Sequence, residues 1–178
     1  MENLHDLLVK RRSIRHFTDE QIDAESVKLI LEAGLLAPTS KSSRAWQFIV
    51  VDDRDMLERL SQCKERAAEP IARCSMAVVV AVDPTRTEPW IEDASVAAAY
   101  MQLQASDLGL GSVWIQVRDR YGFDGMPAEE YVQEALGMPD TLPIVCILAF
   151  GHPAEERKPA TVDKLKWENV HIGQWSNR

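Results

Sequence analysis

The chain has 178 residues, 46% of them hydrophobic, and a formal net charge of −8. That size and apolar content suit a single domain, residues 1–178, while the acidity speaks against a general role on nucleic acid, where affinity comes from phosphate neutralisation. No run of about 18 apolar residues is present to span a bilayer, Met1–Asp6 is too polar for a secretory signal, and the scattered Cys63, Cys74 and Cys146 fit a reducing cytoplasm rather than a disulfide framework or a cysteine zinc site.

Apolar residues at 4, 7 and 8 predict a first helix over Leu4–Lys10, with Asn3 as its N-cap. The basic stretch Lys10–Phe17 follows and reads as extended. The spacing Val27, Leu29, Ile30, Ala33, Leu36 predicts an amphipathic helix from Ala24, closed by Pro38. A polar loop, Pro38–Ala45, leads into a strand at Trp46–Val51, rich in aromatic and β-branched residues. Helical spacing returns over Asp53–Glu65. Ala77–Val82 is continuously apolar, as in a strand buried on both faces.

The longest predicted helix runs from about Ile91 to Leu108, with a smooth surface at Ala94, Ala97, Ala98 and Ala105, and ends at Gly109. A third strand covers Val113–Val117. A short helix spans Pro127–Leu136, with Pro at its first turn and Gly137 after its end. A fourth strand covers Leu142–Phe150. The remainder, Ala154–Arg178, is polar, carries Trp167 and Trp175, and lacks a core pattern of its own. Strands alternating with helices give an α/β or α+β class with a helix-flanked sheet.

Four stretches carry chemistry. In Arg11, Arg12, Ser13 and Arg15, guanidinium forks and a hydroxyl suit a phosphate, and the i, i+2, i+4 spacing puts Arg11, Ser13 and Arg15 on one side of an extended segment. Taken alone, the same stretch reads rather as a solvated helix end. Ser40, Ser42 and Arg44 sit in the loop before a strand, where scaffolds present binding groups. Gly109–Gln116 is a glycine turn entering a strand, unlike the Gly-x-Gly-x-x-Gly that opens a Rossmann helix. Arg157 and Lys158 form a second basic pair after the last strand. Glu92 and Asp93 read as first-turn partners of a helix dipole. The histidines at 5, 16, 152 and 171 show no ligand spacing, so no metal is expected. No nucleophile elbow or Walker lysine is present, so no catalytic side chain is assigned. A phosphate site without a nucleophile points to a cofactor.

Taken in order, Arg11–Phe17, Ala37–Phe48, Asp107–Ile115 and Phe150–Pro153 with its downstream basic pair resemble the nitroreductase family of FMN-dependent oxidoreductases. The resemblance covers nearly the whole chain and implies an α+β fold with a central, mostly antiparallel sheet. It implies a homodimer with FMN at the interface, embraced by the tail (about 154–178), and the alanine-bearing helix at the dimer contact. It assigns Arg11, Arg12, Ser13 and Arg15 to the flavin phosphate and part of the ring. Ser40, Ser42 and Arg44 reach the ring from the other subunit. Trp114, Ile115 and Gln116 pass beside it, with an amide near Gln116 facing N5, and Lys158, with Arg157 second, closes on the phosphate. Many relatives carry Asn at position 42, Gln at 44 and Pro at 45, where this chain has Ser42, Arg44 and Ala45. The implied activity is ping-pong hydride transfer from NADH or NADPH through FMN to an electron-poor small molecule such as a nitroaromatic or quinone. A flavin carrier or redox sensor, or a specialised reaction such as dehalogenation or flavin fragmentation, remains the alternative.

Overall fold

The computed structural model describes residues 3–175. Six α-helices are described, α1 (Leu4–Lys10), α2 (Ala24–Leu35), α3 (Arg54–Leu60), α4 (Pro70–Arg73), α5 (Trp90–Asp107) and α6 (Ala128–Leu136), with four strands, β1 (Trp46–Val51), β2 (Met76–Val82), β3 (Gly111–Gln116) and β4 (Ile144–Gly151). The strands form one sheet in the order β1-β2-β4-β3, and every neighbouring pair is antiparallel. The fold is therefore α+β, an antiparallel sheet flanked by helices.

The alternation of side chains across a strand divides the core into two layers. Ala77, Val79 and Ala81 of β2 join Val113 and Ile115 of β3 under α3, α4 and α6. Met76, Val78, Val80 and Val82 face the other way, onto α2 and α5. Both central strands, β2 and β4, are buried along their whole length, which is why they read as unbroken apolar runs.

The helix caps follow the sequence. Asn3 accepts from the Asp6 N–H at 3.0 Å and Asp23 from the Ser26 N–H at 2.9 Å. The helix predicted over Asp53–Glu65 stops at Leu60 instead. There the Ser61 hydroxyl donates to the Glu58 carbonyl at 2.6 Å, a local bond that competes with helix propagation, and residues 61–67 turn away. The alanine face of α5 is turned inward. Ala94, Ala97, Ala98 and Ala105 are fully buried inside the chain, against the sheet and α2. Small side chains let α5 lie close to the sheet, so the face left outward is that of Val96 and Tyr100.

Candidate functional site

The basic segment lies across one end of the sheet and is fastened to it on both sides. The Ile14 N–H donates to the Ser112 carbonyl at 2.9 Å, and Ser13 bridges Ser112 in parallel. Further along, the Thr18 N–H donates to the His152 carbonyl and the Ala154 N–H to the His16 carbonyl, each at 2.9 Å. Two glycines permit this close approach. A Cβ on Gly111 would stand 2.8 Å from Ile14 Cγ2, and one on Gly151 would stand 2.9 Å from the Phe17 ring. The glycines that end the sequence motifs thus serve as seats for the arginine segment as well as turn residues.

Fixed in this way, Arg11, Arg12, Ser13 and Arg15 share a cleft of about 400 Å³ with Arg157, Leu8 and Ala160. A smaller adjoining recess adds Ser112, Gly111 and Glu155. Glu155 organises the rim. Its carboxylate accepts from the Arg15 N–H at 2.8 Å and the His16 N–H at 3.3 Å, and pairs with Arg157 at 2.9 Å. The Arg15 amide, the His16 side chain and the Arg157 guanidinium together hold its carboxyl at about 2, well below the usual carboxylate range. Arg157 lines the cleft; Lys158 contributes its carbonyl, which accepts from Arg12 Nη1 at 3.2 Å.

Along β3 from this cleft runs an open edge. Ile115 pairs with Ile147 and Val113 with Ala149 of β4, while Ser112 turns its carbonyl outward to Ile14. By the same alternation Trp114 and Gln116 direct their backbone N–H and C=O groups away from β4. Ile115 backs this edge from the core, its side chain 1% exposed. The Trp114 indole N–H donates to Gln116 Oε1 at 2.9 Å and Gln116 Nε2 to the Arg118 carbonyl at 3.0 Å, which fixes both side chains. Lys64 Nζ donates to the Gln116 carbonyl at 2.9 Å. Burial pushes the Lys64 ammonium down from its ordinary value, and the Arg120 guanidinium adds to that shift.

Ser40, Ser42 and Arg44 lie elsewhere. They precede β1, the edge strand opposite β3, so one chain does not bring them to the arginine cleft. Their loop is strained and tightly held. Lys41, Ser42 and Arg44 have φ of 50°, 53° and 46°, a left-handed region that costs non-glycine residues energy and persists where surroundings enforce it. The enforcing residue is Asp93, 6% exposed at the start of α5, whose carboxylate accepts from the Ser40 N–H at 2.8 Å and from the Thr87 and Ser43 hydroxyls at 3.0 and 3.2 Å.

The family model described as the nitroreductase family matches residues 8–88 and 64–152, which together span both the arginine segment and the β3 edge. The chain belongs to the nitroreductase family. An FMN-dependent nitroreductase from Clostridium difficile R20291 is 42% identical, superposes with a TM-score of 0.94, and is matched over 97% of this chain and 100% of its own. A relative from Archaeoglobus fulgidus, provisionally named an NADH dehydrogenase/NAD(P)H nitroreductase, is 33% identical over 98% of this chain and 100% of its own length. A provisionally named nitroreductase from Desulfovibrio desulfuricans, solved in complex with FMN, is 25% identical with a TM-score of 0.80, covering 99% of this chain and 100% of that one.

Within this nitroreductase fold, the sequence reading passed over Lys64, Glu155 and the anchoring role of Asp93. Lys64 leaves no pattern, because it falls where a helix was expected to continue. Glu155 lies two residues before Arg157, a short-range charge pair that was legible but was overshadowed by the cations. In the sequence Asp93 reads only as a dipole partner; its hydrogen bonds to the Ser40 loop span 53 and 50 residues of chain.

Proposed function

We propose that this chain binds FMN and passes hydride from NADH or NADPH to an electron-poor small molecule such as a nitroaromatic or quinone, by ping-pong exchange, as a cytoplasmic homodimer. The reading rests on one observation. Four arginines, Arg11, Arg12, Arg15 and Arg157, line one cleft at the end of a strand whose far edge is open. That donor set fits a dianionic phosphate, and the outward amides of Trp114 and Gln116 fit the acceptor atoms of a flat ring. Ser112 and Gln116 are four residues apart, about 14 Å at strand rise, a distance that a five-carbon ribityl chain and ring can cover.

In this reading the four arginines and the Ser13 hydroxyl hold the phosphate. Bound FMN supplies the redox chemistry at N5, to which the Gln116 N–H donates. Trp114 borders the ring, and Ile115 supports it from the core. The loop bearing Ser40, Ser42 and Arg44, stiffened by Asp93, reaches the ring of the second subunit. A second copy is favoured by the apolar groove of about 560 Å³ lined by Leu4, Leu7, Leu8, Tyr100 and Leu103. Exposed tail residues support the same arrangement, Trp167 at 67% and Ile172 at 94% exposure. The relatives from Clostridium difficile and Desulfovibrio desulfuricans, described as FMN-dependent and as an FMN complex, support the cofactor.

An absorbance spectrum tests the proposal. Purified protein should be yellow, bleach with NADH or NADPH, and turn over when a quinone is added. Colourless protein that takes up no added FMN would overturn it. Tight FMN binding without turnover would favour a carrier.

A further inference from the structure

We propose that Lys64 contacts the flavin beside N5, donating to the ring carbonyl O4 while the Gln116 N–H meets N5, and that its charge sets how readily the ring is reduced. This rests on the FMN reading above. The segment after α3 is bound to the loop beyond β3 by the Glu65 N–H, which donates to the Tyr121 carbonyl at 3.2 Å. That fastening delivers Lys64 Nζ to the outward carbonyl of Gln116, at 2.9 Å. In an extended residue the N–H and C=O point to the same edge, so an atom accepting from Gln116 N–H has the Lys64 ammonium beside it.

The ammonium carries three N–H donors, and the Gln116 carbonyl takes one. Donors set side by side call for acceptors set side by side, and a flavin offers such a pair on one edge, N5 and the adjacent carbonyl O4. A lysine on an open strand edge also serves to deter strand pairing. Lys64 differs from that use in being half-buried, drawn back over the edge and desolvated rather than extended into water. A partly desolvated cation acts strongly on nearby charge. Placed at the C4 carbonyl, it draws electron density from the ring and favours the reduced state.

The test uses the FMN-loaded protein, its C4 carbonyl stretch followed by vibrational spectroscopy and its midpoint potential by dye equilibration. Lys64→Met should move the stretch to higher wavenumber and the potential to a more negative value. Lys64→Arg should restore both in large part. Lys64→Gln, which keeps a donor without the charge, should hold the stretch near its original position while the potential still falls; it also stands in if the Met variant folds poorly. FMN-loaded Met and Gln variants with stretch and potential both unchanged overturn the assignment of Lys64 alone. Wild-type protein that takes up no FMN overturns this inference together with the reading on which it rests.

Discussion

Asp93 Oδ1 accepts the Ser40 N–H at 2.8 Å, joining the first turn of α5 to a loop 53 residues earlier in the chain. The same carboxylate receives the Thr87 and Ser43 hydroxyls. These bonds hold Lys41, Ser42 and Arg44 in a conformation that none of them prefers. Removing a buried acceptor strands its donors, at about 1–3 kcal/mol for the least solvated of them. Asp93→Ala should therefore lower the unfolding free energy by about 2–3 kcal/mol in urea titrations, whereas Asp93→Asn, which retains one acceptor oxygen, should lose about 1 kcal/mol. Limited proteolysis should cut the Ala variant faster within residues 39–45. Unchanged cutting there would mean that the loop holds its shape without Asp93.

Two glycines on one turn have different duties, and alanine substitution separates them. Gly109 has φ of +75° and open space around its missing side chain. Gly109→Ala should cost about 1 kcal/mol of backbone strain and leave the arginine cleft alone. A Cβ on Gly111 would meet Ile14 at 2.8–2.9 Å. Gly111→Ala should cost about 1–3 kcal/mol by overpacking, and it should also push Ile14 and its neighbours Ser13 and Arg15 off the sheet. Denaturation would show both losses, but only the Gly111 variant should also bind FMN more weakly by fluorescence titration.

These contrasts show what was legible in the chain. The strands and most helices announced themselves through local periodicity, because their burial repeats along the sequence, as in the apolar run of β2 between two core layers. The arginine cleft was legible as well, since Arg11, Arg12, Ser13 and Arg15 are consecutive or nearly so. Less legible were features created only by the fold. The resemblance put Lys158 ahead of Arg157, and which of them lines the cleft depends on how 154–160 returns past α1, fixed by the Ala160 N–H to the Val9 carbonyl at 2.8 Å. The inward use of the α5 alanines and the position of Lys64 follow from tertiary packing that no single segment encodes.

The acid limb of stability should carry the signature of Glu155. Its carboxyl is lowered from 4.5 to about 2, chiefly by the Arg15 amide. A depressed acid stabilises the folded chain above its unfolded pKa, and that contribution fades as pH falls through the folded value. The wild-type advantage over Glu155→Gln should thus be full near pH 7 and shrink between about pH 4.5 and 2. Paired thermal melts of the two proteins across that range would check this; a constant difference would place the stabilisation elsewhere.

The cleft itself predicts a ranking among its cations. Arg15 and Arg157 line the cleft, whereas Lys158 uses its carbonyl to receive Arg12. A hydrogen bond to a charged group is worth about 1.5–3 kcal/mol, roughly tenfold to a hundredfold in affinity. Arg15→Ala and Arg157→Ala should weaken FMN binding by that factor, and Lys158→Ala by less than about twofold, because a backbone carbonyl survives side-chain truncation. Arg157 has a second duty, since its loss releases Glu155 from an ion pair at 2.9 Å and leaves an unpaired carboxylate at the cleft's rim. Its variant should accordingly lose more than the Arg15 variant. The double variant Arg157→Ala, Glu155→Gln should recover part of that excess, because it removes the exposed negative charge along with the cation. Titrations of FMN into the apoprotein at fixed ionic strength would read all four, and equal losses at positions 157 and 158 would show that the lysine side chain also reaches the phosphate.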